Sequence, residues 1–210
     1  MSLYLGKIHY WLYNKITWFE GLEKEIIKFG EYKGLPIELW EKNINSKYGV
    51  PTENKPLEDI IDTSNIHGWL QNKIHSAELR QAAWVTFILQ ENKKYKEDLM
   101  RLFKKQGESC AIEYIKENSP ISPEDIYNAL NDYILEGMPC DRVNVILNCN
   151  ENEIIWRATK CLHSSHWESV GGDVKNFYSL REQWIESFIS SLNKDFHFEA
   201  LGDYTYSIKR

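Results

Sequence analysis

Apolar residues recur at three- and four-residue steps from Tyr4 to Phe29, through Ile8, Trp11, Leu12, Phe19, Leu22 and Ile26. That spacing places them on one face of an amphipathic helix. Gly30 and Gly34 end it, and Pro36 opens a second helix that runs to about Tyr48, where Gly49-Val50-Pro51 stops it. Residues 51–65 are polar and read as a connection with one short helical turn. Ser64 or Asn65 caps a third long helix over Ile66–Asn92, with Trp69, Leu70, Ile74, Ala77, Trp84, Phe87 and Ile88 as its apolar positions. Helical stretches follow at Tyr95–Lys105 and Cys110–Lys116. Ser122-Pro123-Glu124-Asp125 starts another helix, with a hydroxyl cap, Pro at the first position and acids in the first turn; it reaches about Glu136.

The pattern then changes period. Val143–Leu147 and Glu153–Leu162 read as two strands of a hairpin. Gly171-Gly172-Asp173 leads into a helix over Val174–Asn193 with Phe177, Leu180, Trp184, Phe188 and Leu192 on one face. Phe196–Ala200 and Tyr204–Ile208 are two closing strands around Gly202-Asp203. The expected fold is α+β: a helical N-terminal half (1–118) packed on a small antiparallel sheet with helices (119–210), the second region having the order helix, strand, strand, helix, strand, strand. The two regions form separate units or one compact domain, with an apolar, aromatic-lined pocket between them.

One nine-residue pattern, I-H-x-W-L-x-N-K-I, occurs twice, at Ile8–Ile16 and at Ile66–Ile74, and Glu20 aligns with Glu78 in the same register. A repeat marks equivalent structural units that share a core. The two copies are therefore expected to be helices in contact, with Trp11 and Trp69 in a shared core. On a helical wheel His9, Ile16 and Glu20 fall on one line, as do His67, Ile74 and Glu78. Antiparallel copies would face His9 to Glu78 and His67 to Glu20. Parallel copies would bring the two histidines together, and the single intervening helix favours this in an up-down-up chain. Asn14 and Asn72 fall on the outer face.

Composition narrows the classes. Hydrophobic residues are 42%, charged residues 27% and net charge −6, an ordinary globular balance. Lys and Glu interleave along the helices without a basic stripe, so nucleic acid is not an expected partner. No apolar run approaches the roughly 20 residues of a membrane span. The N-terminus lacks a charged-then-apolar signal pattern, and Met1-Ser2-Leu3 reads as a cloning remnant. The expected location is the cytoplasm, the expected partner a small molecule, and a homo-oligomer is an open alternative. Cys110, Cys140, Cys149 and Cys161 form no C-x-x-C pair and are expected reduced.

The densest reactive cluster is Cys161, His163 and His166, followed by Trp167. If Cys161 and His163 lie on a strand they point to one face. The three form a candidate transition-metal site, the only cofactor indicated, or a nucleophile with its histidine base. A packed strand end with exposed histidines is the structural alternative. His9, Trp11, Glu20, His67, Trp69, Glu78 and Trp167 border apolar faces, where pocket walls form. They are the candidate ligand-binding residues, and at least two of the three histidine segments are expected to line one pocket. No phosphate loop, dinucleotide fingerprint, nucleophile elbow or H-E-x-x-H appears.

Arg157 to Cys161 at a strand end, the helix holding Trp184, and the closing Gly202-Asp203-Tyr204-Thr205-Tyr206-Ser207-Ile208 resemble the L-2-amino-thiazoline-4-carboxylic acid hydrolase-like proteins. Trp18-Phe19-Glu20 and Leu39-Trp40 have a similar character. The resemblance implies an α+β fold and ring-opening hydrolysis through Cys161. Two positions depart from it: Leu162 stands where Pro is expected after the cysteine, and Tyr206 where a Cys is typical. The leading function is small-molecule or metal binding. The alternatives are a cysteine-dependent hydrolase of a small ring or amide, and a structural or oligomerisation module.

Overall fold

The computed structural model describes residues 5–210; Met1-Ser2-Leu3 and Tyr4 lie outside the described residues. Along the chain the elements are α1 (Lys7–Tyr32), α2 (Ile37–Tyr48), α3 (Leu57–Ile60), α4 (Ile66–Glu91), α5 (Tyr95–Tyr114), α6 (Pro123–Tyr133), β1 (Asn144–Cys149), β2 (Glu153–Ala158), α7 (Ser164–Ser169), α8 (Val174–Leu192), β3 (His197–Gly202) and β4 (Thr205–Lys209). The fold is α+β, with a four-stranded antiparallel sheet. No helix among the described residues is long and apolar enough to cross a membrane.

The chain divides into two compact units, but not at the expected boundary near residue 118. One unit takes the chain up to Lys93 together with His163–Asp173; the other is Lys94–Leu162 with Val174–Arg210. The reason is packing. Helix α5 lies against α8, whereas α7 lies against α4.

In the first unit α1 and α4 pack side by side and run parallel. His9 meets His67 near one end, and Glu20 and Glu23 meet Arg80 further along. The Leu and Ile of each repeat copy form the core: Leu12, Ile16, Leu70 and Ile74 are buried. The tryptophans do not. Trp11 and Trp69 are half-buried, each covered by the lysine one turn on: Lys15 lies 3.7 Å from the Trp11 ring and Lys73 lies 5.5 Å from the Trp69 ring. The recurring W-x-x-x-K is thus an i,i+4 cation–π pair, which rests the lysine on the indole face instead of placing the indole in the core. Asn14 and Asn72 are exposed, as the wheel indicated. Asn65 caps α4 by accepting from Gly68 N at 3.1 Å.

In the second unit the strand order is β1-β2-β4-β3. Ile154, Trp156, Phe198, Tyr206 and Ile208 share one face by register. Helix α6 covers β2 and β4, and α8 covers β3. Ser122 caps α6 in a box with Asp125. Helix α5 is continuous where two stretches were expected. Gly107, which falls between the two expected stretches, lets α8 approach: a Cβ there would collide with Ser187 Oγ and the Trp184 carbonyl. Ser187 Oγ then donates to the Lys104 carbonyl at 3.0 Å, and Trp184 Nε1 donates to Gln106 Oε1 at 3.0 Å. Strand β2 ends at Ala158, four residues early, so Cys161 lies in the turn after it and His163 directly precedes α7. The alternation expected to put both on one strand face does not extend to them.

Candidate functional site

The first unit carries two buried polar clusters on α4. On one side Arg80 is fully buried and meets two carboxylates of α1 that are one turn apart. Its Nη2 donates to Glu20 Oε1 at 2.6 Å, its Nε to Glu23 Oε1 at 2.8 Å, and its Nη1 to Ser76 Oγ at 2.6 Å. Trp84 Nε1 donates to Glu23 Oε1 at 3.2 Å, and the Thr52 amide donates to both Glu20 oxygens at 3.0 Å. Burial pushes the Glu23 carboxyl above its usual range, and the Arg80 guanidinium pulls it partly back. Glu20, expected to bind a ligand, is thus filled by Arg80 and Thr52.

On another side of α4 the buried Glu78 meets two histidines that flank and begin α7. Its Oε2 is 2.9 Å from His166 Nδ1 and its Oε1 is 3.3 Å from His163 Nδ1. Neither Glu78 Oε1 nor His166 Nδ1 meets strict hydrogen-bond geometry, so the cluster is a close approach of one carboxylate to two imidazole rings. Burial works to raise the Glu78 carboxyl, yet His163 and His166 outweigh it and hold it at about 2. His75, which sequence reasoning passed over, sits edge-on to His166 with ring centroids 5.1 Å apart. The Trp167 side chain of α7 is buried, and Gly172 passes so close that a Cβ there would meet Thr86 and Trp167.

His9 and His67 lie with ring centroids 5.8 Å apart, the outcome expected of parallel copies. They are not equivalent. His9 is buried and its Nδ1 accepts from Gly6 N at 2.9 Å, closing the start of α1; His67 is exposed. Of the candidate residues, the structure therefore joins His9 to His67 and Glu78 to His163 and His166.

Among the described residues no group of three or more His, Cys, Asp or Glu side chains is arranged to hold a metal ion. The proposed set of Cys161, His163 and His166 does not form one. His163 and His166 turn Nδ1 toward Glu78, while Cys161 belongs to the second unit and its Sγ accepts from Tyr178 Oη at 2.9 Å.

The second unit holds two adjoining hollows that share Tyr178 and Tyr206. The inner one lies between α6, α8 and the sheet, among Tyr127, Trp156, Glu136 and Arg181, with a volume of about 20 Å³, room for about one water. Arg181 and Glu136 form an ion pair there. The outer one, about 260 Å³, lies between α8 and the β3–β4 turn and is lined by Tyr178, Glu182, Ala200, Gly202, Asp203, Tyr204, Thr205 and Tyr206. Gly202, Asp203 and Tyr204 all take positive φ, which folds the turn tightly and presents the Tyr204 ring 5.2 Å from that of Tyr178. Burial and the contact with Cys161 push the Tyr178 hydroxyl up, and burial raises Glu182. None of the candidate residues named from sequence lines either hollow.

The residues missed are Glu23, Arg80, Glu136, Tyr178, Arg181, Glu182 and Tyr204. Arg80 had a legible signal, a lone base in the small and apolar run around Ala77, Ala82, Ala83 and Trp84. The tyrosines had none, because they meet only through the turn. No protein family, curated protein or solved structure was found to match the chain.

Proposed function

We propose that the second unit binds a small organic cation in the outer hollow. The observation that carries this reading is the hollow's chemistry: three tyrosines, two carboxylates and no base among its eight lining residues. Aromatic faces attract cations through their quadrupole, and a flanking carboxylate adds direct charge. The volume suits a small amine or quaternary ammonium rather than a drug-sized molecule. Glu182, raised by burial, ionises more fully beside a cation, so binding releases protons and tightens as pH rises through its titration. Tetramethylammonium and simple alkylamines, followed by Trp156 fluorescence and by NMR of the tyrosine rings, test the reading. Saturable binding that Tyr204→Ala abolishes without a change in melting supports it. Indifference to cations, or binding of anions instead, rejects it.

A second reading, hydrolysis through Cys161, draws on the Tyr178 hydroxyl at Sγ. A donor at sulfur favours the thiolate, the reactive form. On this reading iodoacetamide alkylates Cys161 before the exposed Cys140 and Cys149, and before the buried Cys110, whose thiol burial pushes up. Slower labelling of Cys161 rejects it.

A further inference from the structure

The outer hollow of the second unit holds two carboxylates that come from different elements. Glu182 stands on α8, one turn after Tyr178 on the same face, and Asp203 stands across the hollow in the β3–β4 turn. Neither carboxylate has a hydrogen bond or ion pair among the described residues. Two bases on the same elements are committed elsewhere: Arg181 of α8 pairs with Glu136, and Lys209 of β4 pairs with Glu199. Glu182 is half-buried, and burial is what raises its carboxyl. Two like charges facing one hollow repel, and a single cation relieves only one of them.

We propose that the ligand of this hollow is a short linear diamine, with one ammonium at Glu182 and the other at Asp203. This rests on the cation-binding reading above and names the class of cation. The charges match, two against two. Alkylammonium groups titrate in the ordinary lysine range, at about 10.4, so both ends of a diamine are charged at neutral pH. Between the two carboxylates the wall is aromatic: Tyr178 and Tyr206 line the hollow, and the Tyr204 ring lies 5.2 Å from that of Tyr178. A methylene chain packs on such rings, and their faces attract the ammonium ends as well. The volume of about 260 Å³ lies below the roughly 300–1,000 Å³ of drug-sized pockets and suits a chain of a few methylenes. A quaternary ammonium offers one charge only and leaves the second carboxylate unanswered.

Titration calorimetry of the full chain with 1,4-diaminobutane and 1-aminobutane, which share a chain length and differ in one charge, tests this. The diamine is expected to bind roughly tenfold or more tightly than the monoamine. Glu182→Gln and Asp203→Asn are each expected to bring the diamine down to the affinity of the monoamine, with circular dichroism and melting unchanged. Asn tolerates the left-handed backbone that Asp203 adopts, at φ 47°, so the turn survives that substitution. Calcium chloride is the control for a bare divalent ion. Equal affinity for the two amines overturns the diamine while leaving the cation reading in place. Binding of neither amine removes both. Calcium that binds as tightly as the diamine, or a diamine preference that survives both substitutions, also overturns the proposal.

Discussion

The two copies of the repeat share a register and both become long helices of the first unit, yet the same residue types meet different fates. Glu20 on α1 and Glu78 on α4 are both buried carboxylates eleven residues after the motif histidine. Glu20 is held by a guanidinium and a backbone amide; Glu78 is held by two imidazoles from a segment nearly ninety residues on. His9 closes its helix start, whereas at the start of α4 Asn65 does that work and His67 is left in water. A local pattern assigns a residue to a helix face. What that face meets decides its chemistry.

The largest expected effect comes from removing the cation that serves α1. Arg80→Met leaves Glu20 and Glu23 buried without it, which costs roughly 3–5 kcal/mol and lowers the melting temperature steeply. A loss below about 1 kcal/mol by urea denaturation would mean that Thr52 and Trp84 alone satisfy the carboxylates.

Glu78→Gln probes the α4 copy. A carboxyl held at about 2 instead of its ordinary 4.5 contributes stability that is complete above pH 4.5 and fades as pH falls toward 2. At pH 5 the variant is expected to be less stable by up to about 3 kcal/mol, and the gap closes by pH 2. A gap that does not vary with pH would show that packing, not charge, holds α7 on α4.

Glu23 has the opposite sign. Its folded carboxyl is raised, so its contribution is greatest below the ordinary carboxylate range and diminishes as pH rises through the folded titration. The stability difference between wild type and Glu23→Gln should therefore shrink from pH 3 to pH 7, while that of Glu78→Gln grows. Parallel pH profiles for the two variants would erase the distinction between the clusters.

The smallest effects separate the histidines. His9→Ala removes an acceptor at a helix start and costs about 1 kcal/mol. His67→Ala, at an exposed position, leaves melting unchanged. Equal effects would mean that the His9–His67 ring contact, rather than the Gly6 amide, is what matters.

Helix positions, the α+β class and the capped starts at Asn65 and Ser122 were legible in the chain itself, because periodicity and capping are local. So was the contact between the repeat helices. Other features depended on residues far away in sequence. The segment around Gly107 reads as a gap between two helices until α8 packs against it. Lys160 to His166 reads as a strand end until the ladder stops at Ala158 and His163 and His166 turn toward Glu78. Tyr178 and Tyr204 converge only because three successive residues take left-handed backbone angles. The sequence by itself thus determined the long helices, their capped starts and the four strands, but not the end of β2, the continuity of α5, the short helix α7 or the place of Trp11 and Trp69. The tertiary structure alone decided which buried charges pair and where the hollow opens, since a charge removed from water must find its partner wherever the fold brings one.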